Sequence, residues 1–262
     1  FLLFSFIKNE QKPTLKDWKN GLILGFIMNF CGQALTFISA QHVPSSIVAL
    51  IAATVPLWVT FFDRLFFSKQ KLSIFAYSGL ILGFIGVTAL VTPDTNTKFN
   101  YLLILPILFS CMCWALGSIL PKKMSLSSAT FSNLGIQLFS GSIFFLIASY
   151  FMGEFSRFEI NHVTNKSLFA LAYLIIFGSV LVFSCFNWLI KNYDAAKVST
   201  YGFVNPLVAI TLGTFFGNEP ITLKVIVSAS IILLGVMIII LSKTKKSISF
   251  KKDVSKLSYE YK

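Results

Sequence analysis

Charged side chains are so widely spaced along this 262-residue chain that the intervals between them define its elements. No charge falls in residues 20–62, and the one polar break there, Gln41-His42-Val43-Pro44-Ser45-Ser46, reads as a tight turn between two apolar stretches. Six more uncharged runs follow, at 72–93, 99–121, 124–153, 167–190, 198–218 and 225–242. A lipid core about 30 Å thick takes roughly 20 residues of helix to cross. Backbone in lipid must satisfy its own hydrogen bonds, which leaves helices or closed barrels. Barrel strands are alternating segments of roughly 10 residues, whereas these runs are longer and continuously apolar. The pattern predicts eight complete transmembrane helices, hence an all-α polytopic membrane protein. Phe1-Leu2-Leu3-Phe4-Ser5-Phe6-Ile7, apolar and followed by basic residues, reads as the stump of one more helix, so the chain is expected to be a fragment.

Composition excludes a soluble monomer: 55% of residues are hydrophobic, 12% are charged and the mean hydropathy is +0.77, against about 25% charged in soluble domains. The net charge of +12 then reports topology. Short cytoplasmic loops are enriched in Lys and Arg. Eighteen of the 22 basic residues fall on one side of the predicted spans: Lys8, Lys12, Lys16 and Lys19, Arg64, Lys69 and Lys71, Lys122 and Lys123, Lys191 and Lys197, and seven lysines in the tail. Lys98, Arg157, Lys166 and Lys224 take the other side. This places the C-terminus in the cytoplasm and makes residues 243–262 a basic, solvated cytoplasmic tail attracted to anionic lipid. Nucleic acid is excluded as a partner, because no soluble segment exceeds roughly 20 residues.

Cys31, Cys111, Cys113 and Cys185 lie within apolar runs and read as reduced core residues. His42 and His162 stand alone in separate loops, so neither a zinc site nor a catalytic triad assembles. There is no Walker A loop, HExxH or dinucleotide fingerprint. No metal or cofactor is expected, and nothing proposes an enzyme.

An internal repeat is more informative, because transporters are often built from halves related across the membrane. Residues 46–57, ending in Pro56-Leu57, align with 196–207, ending in Pro206-Leu207, at an offset of 150. After a one-residue gap, Phe66-Phe67 pairs with Phe215-Phe216 and Gly86-Val87 with Gly235-Val236. The first copy runs inward on the charge count and the second outward, so the copies are inverted.

The chain resembles the EamA-like branch of the drug/metabolite transporter superfamily. The resemblance rests on residues 40–57, on Gly83-Phe84-Ile85-Gly86-Val87, on Trp114-Ala115-Leu116-Gly117-Ser118, and on Tyr201-Gly202-Phe203-Val204-Asn205-Pro206 running to Gly217-Asn218-Glu219. It implies ten helices in two inverted five-helix repeats with both termini cytoplasmic. On that pattern the chain lacks the first helix and most of the second. Residues 1–91 are the remainder of the first repeat and residues 99–242 the second. Gln70 departs from the pattern, where the first repeat usually carries a Glu; Glu219 keeps the acid in the second.

Polar groups inside spans are costly in lipid and turn toward other helices or a water-filled cavity. They are Asn29 and Gln33 one turn apart, Thr54 just ahead of Pro56, Trp114 with Ser118, Asn133 and Gln137 four apart, Asn187 beside Trp188, and Tyr201 with Asn205. Taken singly, each is explained by a helix-to-helix hydrogen bond. As a set they read as the lining of a substrate pocket for an uncharged or zwitterionic organic molecule, with aromatic faces for any cationic group. Pro56 and Pro206 each remove a backbone hydrogen bond in mid-helix, as hinges or as static kinks. Gly79, Gly83 and Gly86 allow close helix packing. Every acid falls at a span end or in a loop, so no buried carboxylate is expected, Asp63 and Arg64 read as an interfacial anchor, and facilitated diffusion, exchange and ion coupling stay open.

The function expected is that of an inner-membrane transporter moving a small organic metabolite or amphipathic compound by alternating access, with export favoured by family analogy. A non-transporting scaffold or sensor is the alternative; a lipid-modifying membrane enzyme would need clustered acids or histidines at one face. The partners are a small-molecule substrate and membrane lipid, with a homodimer left open.

Overall fold

The computed structural model describes residues 1–67, 74–91, 101–124, 129–159, 163–182, 184–185, 188–189, 201–217 and 222–260, and all regular structure among them is helical. In chain order these are α1 (Leu2–Ile7), α2 (Leu15–Ala40), α3 (Ser45–Ala52), α4 (Val55–Phe62), α5 (Ile74–Val91) and α6 (Ile104–Ile119). They continue with α7 (Thr130–Phe151), α8 (Glu154–Arg157), α9 (Asn165–Tyr173), α10 (Tyr201–Gly217) and α11 (Leu223–Glu260). Among the described residues, four helices are long and apolar enough to cross a membrane: Leu15–Ala40, Ser45–Phe66, Phe131–Phe151 and Leu223–Leu241. Shorter apolar helices at Ile74–Leu90, Ile104–Ile119, Asn165–Leu181 and Val204–Gly217 occupy the remaining uncharged runs.

Three features depart from the sequence reading. α2 starts at Leu15, ahead of the apolar run, because Thr14 and Asp17 form a capping box: Asp17 N donates to Thr14 Oγ1 (3.3 Å) and Thr14 N donates to Asp17 Oδ2 (2.8 Å). Such a box satisfies end groups of the helix outside the lipid-facing stretch. The same residue corrects the expectation that no carboxylate is buried, since Asp17 is only 4% exposed. Second, the helical segment Ser45–Phe66 is interrupted at residues 53–54 and is not an unbroken helix with a proline in its middle. The helix ends at Ala52 and restarts at Val55, placing Pro56 in the first turn of α4, where its missing N–H is not needed. Pro206, by contrast, lies inside α10. Third, α11 continues through the basic tail to Glu260, 38 residues in all, about 57 Å at 1.5 Å per residue.

The chain forms two compact units, one of residues 1–30 and 120–198 and the other of residues 31–119 and 199–262, each drawing on both halves of the sequence. In the first, α1 and the N-terminal half of α2 pack on α7. Leu2 lies against Gly135, and Phe1 and Phe4 rest on the ring of Phe131 at 6.2 and 6.3 Å. Glu10 then reaches the start of α7, accepting from the backbone N–H of Phe131 at Oε1 (3.2 Å) and of Ser132 at Oε2 (2.9 Å). A carboxylate there satisfies orphan donors and complements the helix dipole. Burial pushes the Glu10 carboxyl up, but the N–H groups of Ser132 and Phe131, the Ser5 hydroxyl and the Lys8 charge outweigh it and hold the carboxyl below its ordinary value.

In the second unit, α6 is the central helix, contacted by the C-terminal half of α2 and by α3 and α4, while α3 also packs on α10. Leu50, Ile51, Leu57, Ile104 and Ile107 are fully buried there. α5 and α11 make the most extensive helix pair. A Cβ on Gly79 would fall 2.7 Å from the Gly235 carbonyl oxygen. The pair therefore needs glycine on both helices, the packing mode that holds helices together where no hydrophobic effect acts between them.

Candidate functional site

In the first unit, the polar residues converge on a distortion of α2. Residues Gly25–Cys31 form a π-helical turn, a widened geometry frequent at functional sites. Asn29 sits in it, 6% exposed, and donates from Nδ2 to the backbone carbonyl of Gln137 on α7 (3.1 Å). The approach is close because both helices carry glycine at the crossing. A Cβ on Gly25 would lie 2.6 Å from the Gln137 carbonyl oxygen, and one on Gly141 would lie 2.8 Å from Asn29 Cβ. The Gln137 side chain plays a different part. Half-buried, it directs Nε2 to the thioether of Met28 (3.3 Å), a weak acceptor. The structure thus brings Asn29 and Gln137 together and separates their roles. Asn29 holds two helices, while among the described residues the Gln137 amide keeps most of its hydrogen-bonding capacity unspent. Asn133, one turn earlier on α7, is also half-buried and is hydrogen-bonded or otherwise engaged.

In the second unit, Thr54 lies in the break between α3 and α4 and is completely buried. Its Oγ1 donates to the Ile51 carbonyl (2.6 Å), which also accepts from Thr54 N (2.9 Å) and from Cys111 Sγ on α6 (3.6 Å). A helix interrupted ahead of a proline frees carbonyls. Here a hydroxyl, an amide and a thiol meet one of them. Gln33 and Trp114 are half-buried, and Ser118 is exposed with its hydroxyl returned to the Ala115 carbonyl (2.7 Å). Asn205 is exposed on α10. The Tyr201 side chain, Gln70, Asn187 and Glu219 lie outside the described residues.

Sequence reasoning missed Met28, Cys111 and Trp58. Cys111 stands three residues before Trp114, on the same stretch of α6, and that spacing was a usable signal. Trp58, on α4, keeps its indole N–H buried without a partner among the described residues, with the ring edge-on to Phe84 at 4.9 Å and stacked on Phe62 at 6.1 Å. Nothing in the sequence distinguishes it from an ordinary lipid-facing tryptophan.

A polytopic bundle of apolar helices with broken and π-distorted segments, carrying amides and hydroxyls inside its spans, has the make-up of a membrane transporter. The chain belongs to the EamA-like transporter family, whose pattern it matches over residues 1–92 and 101–241. It is 29% identical over 245 residues to the uncharacterized inner membrane transporter YedA of Escherichia coli (strain K12), covering 92% of this chain and 77% of that protein. With the uncharacterized transporter YvbV of Bacillus subtilis (strain 168) it shares 26% identity over 230 residues, covering 87% of this chain and 74% of the relative. A solved crystal structure shares the fold at a TM-score of 0.57 and 16% identity, covering 87% of this chain and 75% of the other. The chain is an integral membrane protein of the drug/metabolite transporter type.

Proposed function

We propose that this transporter moves a small uncharged or zwitterionic organic solute across the inner membrane by alternating access between two inverted five-helix repeats, with export as its direction and the C-terminus in the cytoplasm. The observation that carries this reading is the Gln137 side chain, a half-buried amide whose donor is met only weakly, by the Met28 thioether. A polar group at that depth costs free energy unless something polar visits it. Within the same unit Asn133 and Asn187 complete the lining, while Asn29 shapes it by fixing the helices that carry Gln137; Gln33, Thr54, Trp114, Ser118, Tyr201 and Asn205 belong to the other unit. Relatives described as inner membrane transporters support the location, and Pro56 and Pro206 are the hinges.

The test is counterflow in proteoliposomes. Vesicles preloaded with unlabelled amino acids, nucleosides or polyamines should accumulate the matching labelled solute, and Gln137→Leu should abolish that uptake. Folded protein that exchanges none of them would favour a scaffold or sensor over a carrier.

A further inference from the structure

Between α1 and α2 the chain runs through residues 8–14 without regular helix. Asn9, at φ 49°, takes the left-handed conformation, which Asn adopts more readily than most residues. The turn folds Glu10 back on itself: its N–H donates to the Ser5 carbonyl (3.0 Å), while its carboxylate accepts from the N–H groups of Phe131 and Ser132 at the start of α7. Lys8 adds a second hold, with Nζ 4.5 Å from the centroid of the Phe131 ring. Lys8, Asn9, Gln11 and Lys12 are otherwise exposed. Behind this strap lies a cavity of about 270 Å³, whose walls include Phe6, Asn9, Glu10, Lys12, Trp18 and Ser132. A space of that size holds several waters, so the strap covers a cavity instead of packing into a core.

Three features suit the strap to release. The groups that Glu10 meets are backbone donors of a helix start, which water satisfies when a side chain leaves. Residues 8–12 are all polar or charged, so lifting them uncovers little apolar surface of their own. The contact also joins residues of the two proposed repeats, which alternating access moves against each other. A bond between them on one face has to break for that face to open.

We infer that residues 8–13 form a releasable strap, latched by Glu10 onto the first turn of α7, that closes this cavity at the cytoplasmic end of the first unit and lets go when the two repeats rock apart. The role in transport rests on the carrier reading above and on its topology. A static cap would leave the cavity sealed whichever residue stood at position 10.

Thiol labelling behind the strap tests release without the solute. Ser132→Cys puts a thiol on the cavity wall at a position 1% exposed. Ser140→Cys puts one about two turns further along α7, where the residue is equally buried. Each is made in the full chain with Glu10 intact and with Glu10→Gln, in nanodiscs of phosphatidylethanolamine and phosphatidylglycerol at pH 7. The probe is a small charged methanethiosulfonate, which reacts with a thiolate in water. Mass spectrometry reads modification residue by residue and so separates these sites from the native cysteines. Hydrogen bonds to a charged group are strong enough that Glu10→Gln should speed labelling at 132 at least about tenfold, with the rate at 140 unchanged. No acceleration at 132 would make Glu10 a static cap, and equal acceleration at both positions would mean general loosening; either result overturns the strap. If Glu10→Gln does not fold, Glu10→Asp keeps the charge one methylene short of α7 and should speed labelling at 132 alone, with any other pattern overturning the inference. Neither readout involves transport, so a negative result here leaves the counterflow test of Gln137 standing.

Discussion

The Asn29 side-chain amide donates to the backbone carbonyl of Gln137 across 3.1 Å, so this bond depends on which residue stands at 29 and not on which stands at 137. The two positions are therefore separable by mutation. Asn29→Ala removes the bond, while Gln137→Leu keeps it and deletes only the amide beside Met28. Interhelical hydrogen bonds in membranes contribute about 0.6 kcal/mol on average, with a maximum of about 1.7. Asn29→Ala should reduce stability by an amount in that range and so lower the thermal midpoint, while Gln137→Leu should leave the midpoint nearly unchanged. Midpoints measured on purified protein in nanodiscs check both.

A methyl group at the α2–α7 crossing should cost more than the hydrogen bond. Gly25→Ala would press a Cβ against the Gln137 carbonyl and Ser140, with no flexible side chain to give way at the carbonyl. Overpacking of this kind typically costs about 1–3 kcal/mol. Gly25→Ala should therefore be less stable than Asn29→Ala, and should lower the yield of folded protein by size-exclusion chromatography.

Glu10 makes stability depend on pH. Its carboxyl is held below the ordinary value of 4.5 in the folded chain, so the folded state favours the ionised form. That contribution is fully present above pH 4.5 and is lost as pH falls through the lowered folded value. Glu10→Gln should reduce the midpoint at pH 7, and the gap from wild type should close progressively below pH 4.5. A gap that stayed constant down to pH 3 would show that it does not arise from ionisation of the Glu10 carboxyl.

Restoring an N–H at position 56 should let α3 and α4 fuse. In Pro56→Ala, amide hydrogen exchange over residues 53–57 should slow as the break closes, and exchange of solute across the membrane should slow more than binding weakens. Equal losses in rate and affinity would make Pro56 a static kink.

The apolar helices were legible because charge spacing and lipid thickness act on the sequence one segment at a time. Each uncharged run contains an apolar helix. Details set by hydrogen bonding were not legible. The early start of α2 depends on the reciprocal bonds of Thr14 and Asp17, and the break at Thr54 on three donors converging at Ile51. Neither leaves a mark in hydropathy. The candidate site was legible as a list of polar residues, but not as a division of labour. Asn29 and Gln137 look alike as intramembrane amides, and only their partners distinguish the one that holds helices from the one left with capacity for a ligand.

Transport turns on the Gln137 amide meeting the solute, and ligand-induced thermal stabilisation measures that contact most directly. Wild type, Asn29→Ala and Gln137→Leu would be screened against amino acids, nucleosides, polyamines and cationic dyes, since a ligand at a hundred times its Kd stabilises a folded protein by about 2.7 kcal/mol. One class should raise the midpoint of wild type and of Asn29→Ala but not of Gln137→Leu. A shift of full size in Gln137→Leu, or no shift from any class in folded wild-type protein, would contradict it.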